Sequence, residues 1–139
     1  RMKRSVSHEN LAICTFEVGK AETHFRGIDE IVDYLRGCIE AEPLARFIGV
    51  FDHYAHTRSL RNGVVAEGIR AAKNLVLCFG ITLPDPQALA LRPRSIGVCE
   101  LDDRFVLTLA EAPMPVANLA MERWVLSIVA RDEALQANA

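Results

Sequence analysis

The chain has 139 residues, half of them hydrophobic, with 16 Lys+Arg against 18 Asp+Glu and a formal net charge of −2. That length can bury one sizeable core without a disulfide or metal staple, and the mixed, nearly balanced charges exclude long disordered segments. They also argue against nucleic acid as a partner, because there is no basic stripe and no interleaving of basic and aromatic residues.

No apolar run reaches membrane-spanning length, and the basic start Arg1-Met2-Lys3-Arg4 is not followed by an apolar signal region. A cytoplasmic protein with no membrane partner is therefore expected. Neither an internal repeat nor a change of composition divides the chain, so residues 1–139 read as a single domain, with residues 1–10 as a flexible N-terminus.

Leu11 to Val18 alternates in part, contains β-branched and aromatic residues, and ends at Gly19; it predicts a strand, with a helix following. From Gly27 the period changes. Ile28, Ile31, Val32, Leu35 and Ile39 fall on one arc and Asp29, Asp33, Arg36 and Glu40 on the other, which predicts an amphipathic helix stopped by Pro43.

Arg46 to Phe51 is a second strand, running into the polar stretch Asp52-His53-Tyr54-Ala55-His56-Thr57-Arg58. Glu67 to Lys73 suggests a short helix, and Asn74 to Gly80 a buried strand. Pro84, Pro86 and Pro93 frame a turn with a short helix at Gln87 to Leu91. Ser95 to Leu101 and Arg104 to Leu109, separated by Asp102-Asp103, predict a hairpin.

A long helix is expected from about Val116 to about Leu135, entered through Pro113 and Pro115. At 100° per residue, Ala117, Met121, Trp124, Val125 and Ile128 share one arc, while Leu119, Leu126 and Ala130, with Val129 at the edge, form a second stripe. One stripe suffices for packing on a sheet. The second suggests a twofold partner, so a homodimer is expected.

Cys14, Cys38, Cys78 and Cys99 are singly spaced, and three lie in apolar runs, which reads as small core hydrophobes rather than a disulfide or zinc framework. No phosphate-binding glycine loop and no nucleophile motif occurs, and no cofactor is expected.

The densest chemistry is Asp52, His53 and His56 at a strand end. Two imidazoles and a carboxylate could form an open metal site if the chain turns helical there, with a further ligand from Glu100, Glu111 or His24. Alternatively, Asp52 caps a turn and His53 is simply hydrogen-bonded. Arg92 and Arg94 flank Pro93 and offer planar forks for a carboxylate or phosphate. These residues suggest a pocket with Asp52 and His53 on its floor and Pro84 to Pro93 as its other wall. A small, partly anionic molecule would bind there, with Arg92 or Arg94 as its counter-charge.

From Phe47 to Pro113 the chain has a strand ending in Asp52-His53, a strand closing at Phe79-Gly80, a proline-containing loop, Ala88-Leu89-Ala90-Leu91-Arg92-Pro93 leading into Ile96-Gly97-Val98, and an acidic turn followed by a strand. This order resembles the bacterial domain-of-unknown-function family three-oh-two. The resemblance implies a small α+β fold, frequent self-association, and Asp52-His53 as a site without an assigned role.

The expected architecture is α+β, in the order β-α-β-(α)-β-(α)-β-β-α. About five strands form a mixed or antiparallel sheet, with the two long helices on one face. The leading functional expectation is a small-ligand or sensory binding domain acting as a homodimer. The alternatives are a metal-dependent enzyme using Asp52, His53 and His56, and a purely structural or interaction protein.

Overall fold

The computed structural model describes residues 2–6, 11–111 and 114–129. Five strands form one antiparallel sheet in the order β1-β5-β4-β3-β2: β1 (Ile13–Gly19), β2 (Ala45–Asp52), β3 (Ala71–Phe79), β4 (Arg94–Glu100) and β5 (Arg104–Ala110). Helix α1 (Ile28–Ala41) links β1 to β2 across the sheet, a short α2 (His53–Ser59) follows β2, and α3 (Pro115–Leu126) comes after β5. No helix among the described residues is long and apolar enough to cross a membrane.

The two longer helices share one face, as their periodicity requires. Ile31, Leu35 and Ile39 of α1 are fully buried, and Ala117, Met121 and Val125 of α3 are buried beside them. Opposite them lie alternate residues of the inner strands: Leu75 and Leu77, Ile96 and Val98, Phe105 and Leu107. Two-residue alternation puts these side chains on a single sheet face, so the helices and the sheet share one apolar layer. The start of α1 is tied to β4: Glu100 Oε1 accepts from the Ile28 amide at 3.2 Å and its Oε2 from Lys20 Nζ at 3.1 Å. A carboxylate at that end satisfies a free amide and favours the helix dipole.

The opposite face carries small and polar residues along its middle, where the register aligns Thr15, Thr108, Gly97 and Asn74 across four strands. Glycine at 97 is required there, because a Cβ would lie 2.6 Å from Thr108 Oγ1. Cys78 and Cys99 sit on this face as half-buried free thiols; only Cys14 and Cys38 pack against the core. The expectation that the apolar-run cysteines are all core residues is corrected accordingly: in an open-faced sheet, alternate positions of an apolar strand leave the core.

Two helix expectations also change. Glu67 to Lys73 is not helical. Gly68 adopts φ +93°, in the left-handed region that breaks a helix, and Ala71–Lys73 begin β3. The last helix ends at Leu126, short of Leu135. Ser127 donates its Oγ to the Trp124 carbonyl at 2.6 Å, and Ile128 and Val129 donate backwards over three residues, tightening the turn. Thr23 Oγ1, buried under this end, donates to the Ile128 carbonyl at 2.6 Å. The continuation expected over 130–135, the stripe residue Ala130 and Pro113 lie outside the described residues, as do positions 1 and 7–10 of the N-terminal segment.

Candidate functional site

Asp52, His53 and His56 do fall together, because the chain turns helical directly after β2. Asp52 is the N-cap of α2, its Oδ1 accepting from the Ala55 amide at 2.9 Å. This is what a capping carboxylate contributes to a helix start. The His53 and His56 rings stand at right angles with centroids 6.2 Å apart, and both contact the Phe51 ring. His53 Nδ1 is also 3.2 Å from Thr57 Oγ1. Among the described residues, no group of three or more His, Cys, Asp or Glu is placed to hold a metal ion. Glu100, offered by the sequence as a further ligand, is committed to Lys20 and Ile28.

The arginines lie elsewhere. Asp52 pairs with Lys73 in the sheet register, whereas Arg94 pairs with Leu77. Four residues of strand separate those rows, about 13 Å at the usual rise, and β3 runs between β2 and β4. A single pocket floored by Asp52 and His53 with Arg92 or Arg94 as counter-charge is therefore corrected: the strands that carry these groups hold them at opposite ends of the sheet.

Arg94 is almost fully buried, 6% exposed, on the inner face at the start of β4. Its Nη2 donates to the Ala110 carbonyl at 2.5 Å and to Asn118 Oδ1 at 2.7 Å, while Nη1 is buried without a partner. Burial, and secondarily the nearby Arg92 charge, pull the Arg94 guanidinium below its ordinary value. Arg92 is half-buried, with Nη1 donating to the Thr82 carbonyl and Nη2 lying 3.9 Å from Met114 Sδ. The ion pairs among the described residues include neither arginine. A cation drawn out of water without a carboxylate partner is an open electrostatic demand.

Two clefts meet at Pro93, beneath the proline-rich segment 81–93. One, about 310 Å³, has Ser95, Gly97 and Thr108 on its floor and Ala90, Leu91 and Pro93 as a wall. The other, about 480 Å³, is lined by Ile48, Cys78, Ile81, Leu83, Leu89 and Arg92, together with neighbouring backbone. The Pro84 to Pro93 segment is thus a cleft wall, as the sequence suggested, but over the other end of the sheet. His53 lines a separate, smaller cleft of about 190 Å³ with Thr57, Val64 and Ile69.

Ile48, Ile81, Leu83 and Leu89 were not singled out by the sequence. Their signal is present but weak: Ile48 lies inside a predicted strand, and the other three fall in a proline-rich segment without a period of their own. Among the described residues the second stripe of α3 is exposed, Leu119 being 65% and Leu126 53% exposed, with Val129 at its margin.

Residues 2–130 match the model of a family described as a family of unknown function, DUF6858. The match supports a domain of unknown function, and the family it names is not the three-oh-two family expected from the order of residues between Phe47 and Pro113. No curated protein and no solved structure matches significantly.

Proposed function

We propose that this chain, which belongs to the DUF6858 family of unknown function, is a binding domain for a small anionic molecule and works as a homodimer. The observation that carries this reading is the pair Arg92 and Arg94. Arg92 is half-buried in the lining of the larger cleft, Arg94 is buried close by on the inner face of the sheet, and neither has a carboxylate partner among the described residues. A guanidinium cannot shed its proton at physiological pH, so its charge is met by an anion or left unmet, and its planar fork suits a carboxylate or phosphate. The larger cleft is of small-molecule size and mainly apolar with few polar groups, as such sites are. Self-association is supported by the exposed leucines of α3.

The test is a thermal-shift and calorimetric screen of small organic acids, each paired with its neutral amide or alcohol. A ligand at a hundred times its Kd stabilises the fold by about 2.7 kcal/mol. Acids are expected to raise the melting temperature while their neutral counterparts do not, and Arg92→Gln is expected to remove the effect. If the acids bind Arg92→Gln as well as the parent, or if none binds, the reading falls and an interaction protein takes its place.

A further inference from the structure

The larger cleft narrows the ligand class, on the premise that Arg92 takes an anion. Its walls hold four large aliphatic side chains that are more than half exposed: Ile48 at 55%, Ile81 at 80%, Leu83 at 62% and Leu89 at 60%. They come from two separate parts of the chain, edge strand β2 and the segment after β3, yet they border one open slot. Exposed apolar side chains scattered singly need no explanation; four converging on one concavity do.

The slot is apolar along its length and cationic at one place. Cys78 adds a half-buried thiol, and Arg92 is the charged residue of the lining. The contacts of Arg92 to Thr82 and Met114 hold its side chain in position while leaving the fork's other donors uncommitted. Asp85, an acidic residue of the same loop, accepts from the Ala88 amide at 2.8 Å as a cap and makes no ion pair with Arg92.

We infer that this slot binds a monocarboxylic acid with an unbranched aliphatic body, the carboxylate on Arg92 and the hydrocarbon between Ile48, Ile81, Leu83 and Leu89. Charge complementarity selects an acid over an alcohol. The aliphatic lining selects a hydrocarbon over a sugar or nucleotide, whose hydroxyls would find few partners here. No bond is made or broken; the step is reversible binding.

Calorimetry with acetate, hexanoate, octanoate, 1-octanol and inorganic phosphate tests this on the full chain. Each methylene buried in the slot is expected to tighten binding up to about fourfold, so octanoate binds on the order of tenfold tighter than hexanoate. 1-Octanol binds at least tenfold more weakly than octanoate. Arg92→Gln loses at least tenfold in octanoate affinity, and Leu89→Asp, a change at an exposed position that puts a negative charge beside the tail, abolishes binding while the melting temperature stays near the parent's.

Equal binding of hexanoate and octanoate, or of octanoate and 1-octanol, overturns the inference, as does Leu89→Asp with unchanged affinity. If acetate or phosphate binds in an Arg92-dependent way without any gain from chain length, the aliphatic acid is wrong and the anion site stands. If no anion binds, both fall. A dimer that weakens in Leu89→Asp, with no octanoate binding, also overturns the inference in favour of a second copy in the slot.

Discussion

Arg94 Nη2 reaches Asn118 Oδ1 at 2.7 Å, joining the first residue of β4 to the first turn of α3. The same nitrogen donates to the Ala110 carbonyl at the end of β5, so one guanidinium fixes three elements on the inner face of the sheet.

Truncation and charge removal at Arg94 should therefore separate. Arg94→Ala leaves the Ala110 carbonyl without its donor and opens a void, and is expected to cost about 2–4 kcal/mol in urea unfolding. Arg94→Met keeps most of the volume and also removes an unmet buried charge, so about 1 kcal/mol is expected. Equal losses for the two variants would mean that the hydrogen bonds to Ala110 and Asn118, lost in both, outweigh the volume and the charge.

Thr23 makes another long-range polar tie, to the Ile128 carbonyl, and its oxygen also accepts from the Phe25 amide at 3.3 Å. Thr23→Val preserves shape and removes the hydroxyl. With the site buried, a loss of about 1–3 kcal/mol is expected, largely recovered in Thr23→Ser. Chemical denaturation of the three proteins measures it.

Cys14 Sγ donates to Glu111 Oε1 at 2.8 Å, and this hydrogen bond, more than the small desolvation and the carboxylate charge, raises the thiol above its ordinary value. The neutral thiol is the form favoured by the fold. Iodoacetamide attacks the thiolate, so Cys14 should react slowly near neutral pH and gain rate only as the pH climbs through its raised value. Glu111→Gln takes away the anionic acceptor and is expected to accelerate labelling at neutral pH. Mass-spectrometric rates that do not differ between parent and variant would contradict the assignment.

The order of elements along the chain and the helix faces were legible because they follow from periodicity; the order of strands in the sheet was not. Ile28, Ile31, Leu35 and Ile39 announce α1's buried face, and Ala117, Met121, Trp124 and Val125 that of α3. The site was less legible, for a geometric reason. Asp52 and Arg94 both read as groups at the end of an apolar strand, but β2 and β4 present their C-terminal and N-terminal ends respectively, and which row each occupies is set by pairing with β3. Pairing register is not written in either strand alone. Likewise Ile48 and Leu89 have no local signature of a shared slot; a bulge between Phe47 and Gly49 and the folding-back of segment 81–93 bring them together.

Leu126 and Leu119 form the exposed stripe that the homodimer proposal uses. Sedimentation at tens of micromolar should give a dimer, and Leu126→Glu a monomer of unchanged fold, since a charge facing its own copy across a twofold axis is repelled. A parent that sediments as a monomer removes the dimer without touching the ligand site.

The cleft under segment 81–93 is the proposed ligand site, and methyl resonances report on it residue by residue. In a titration with octanoate, the methyls of Ile48, Ile81, Leu83 and Leu89 are expected to shift together along one binding curve. The buried Ile31 and Leu35 should stay in place, and Arg92→Gln should move the curve to higher concentration. Shifts confined to Val64, Val65 and Ile69 beside His53, or to Leu119 and Leu126, or no saturable shift at all, would contradict it.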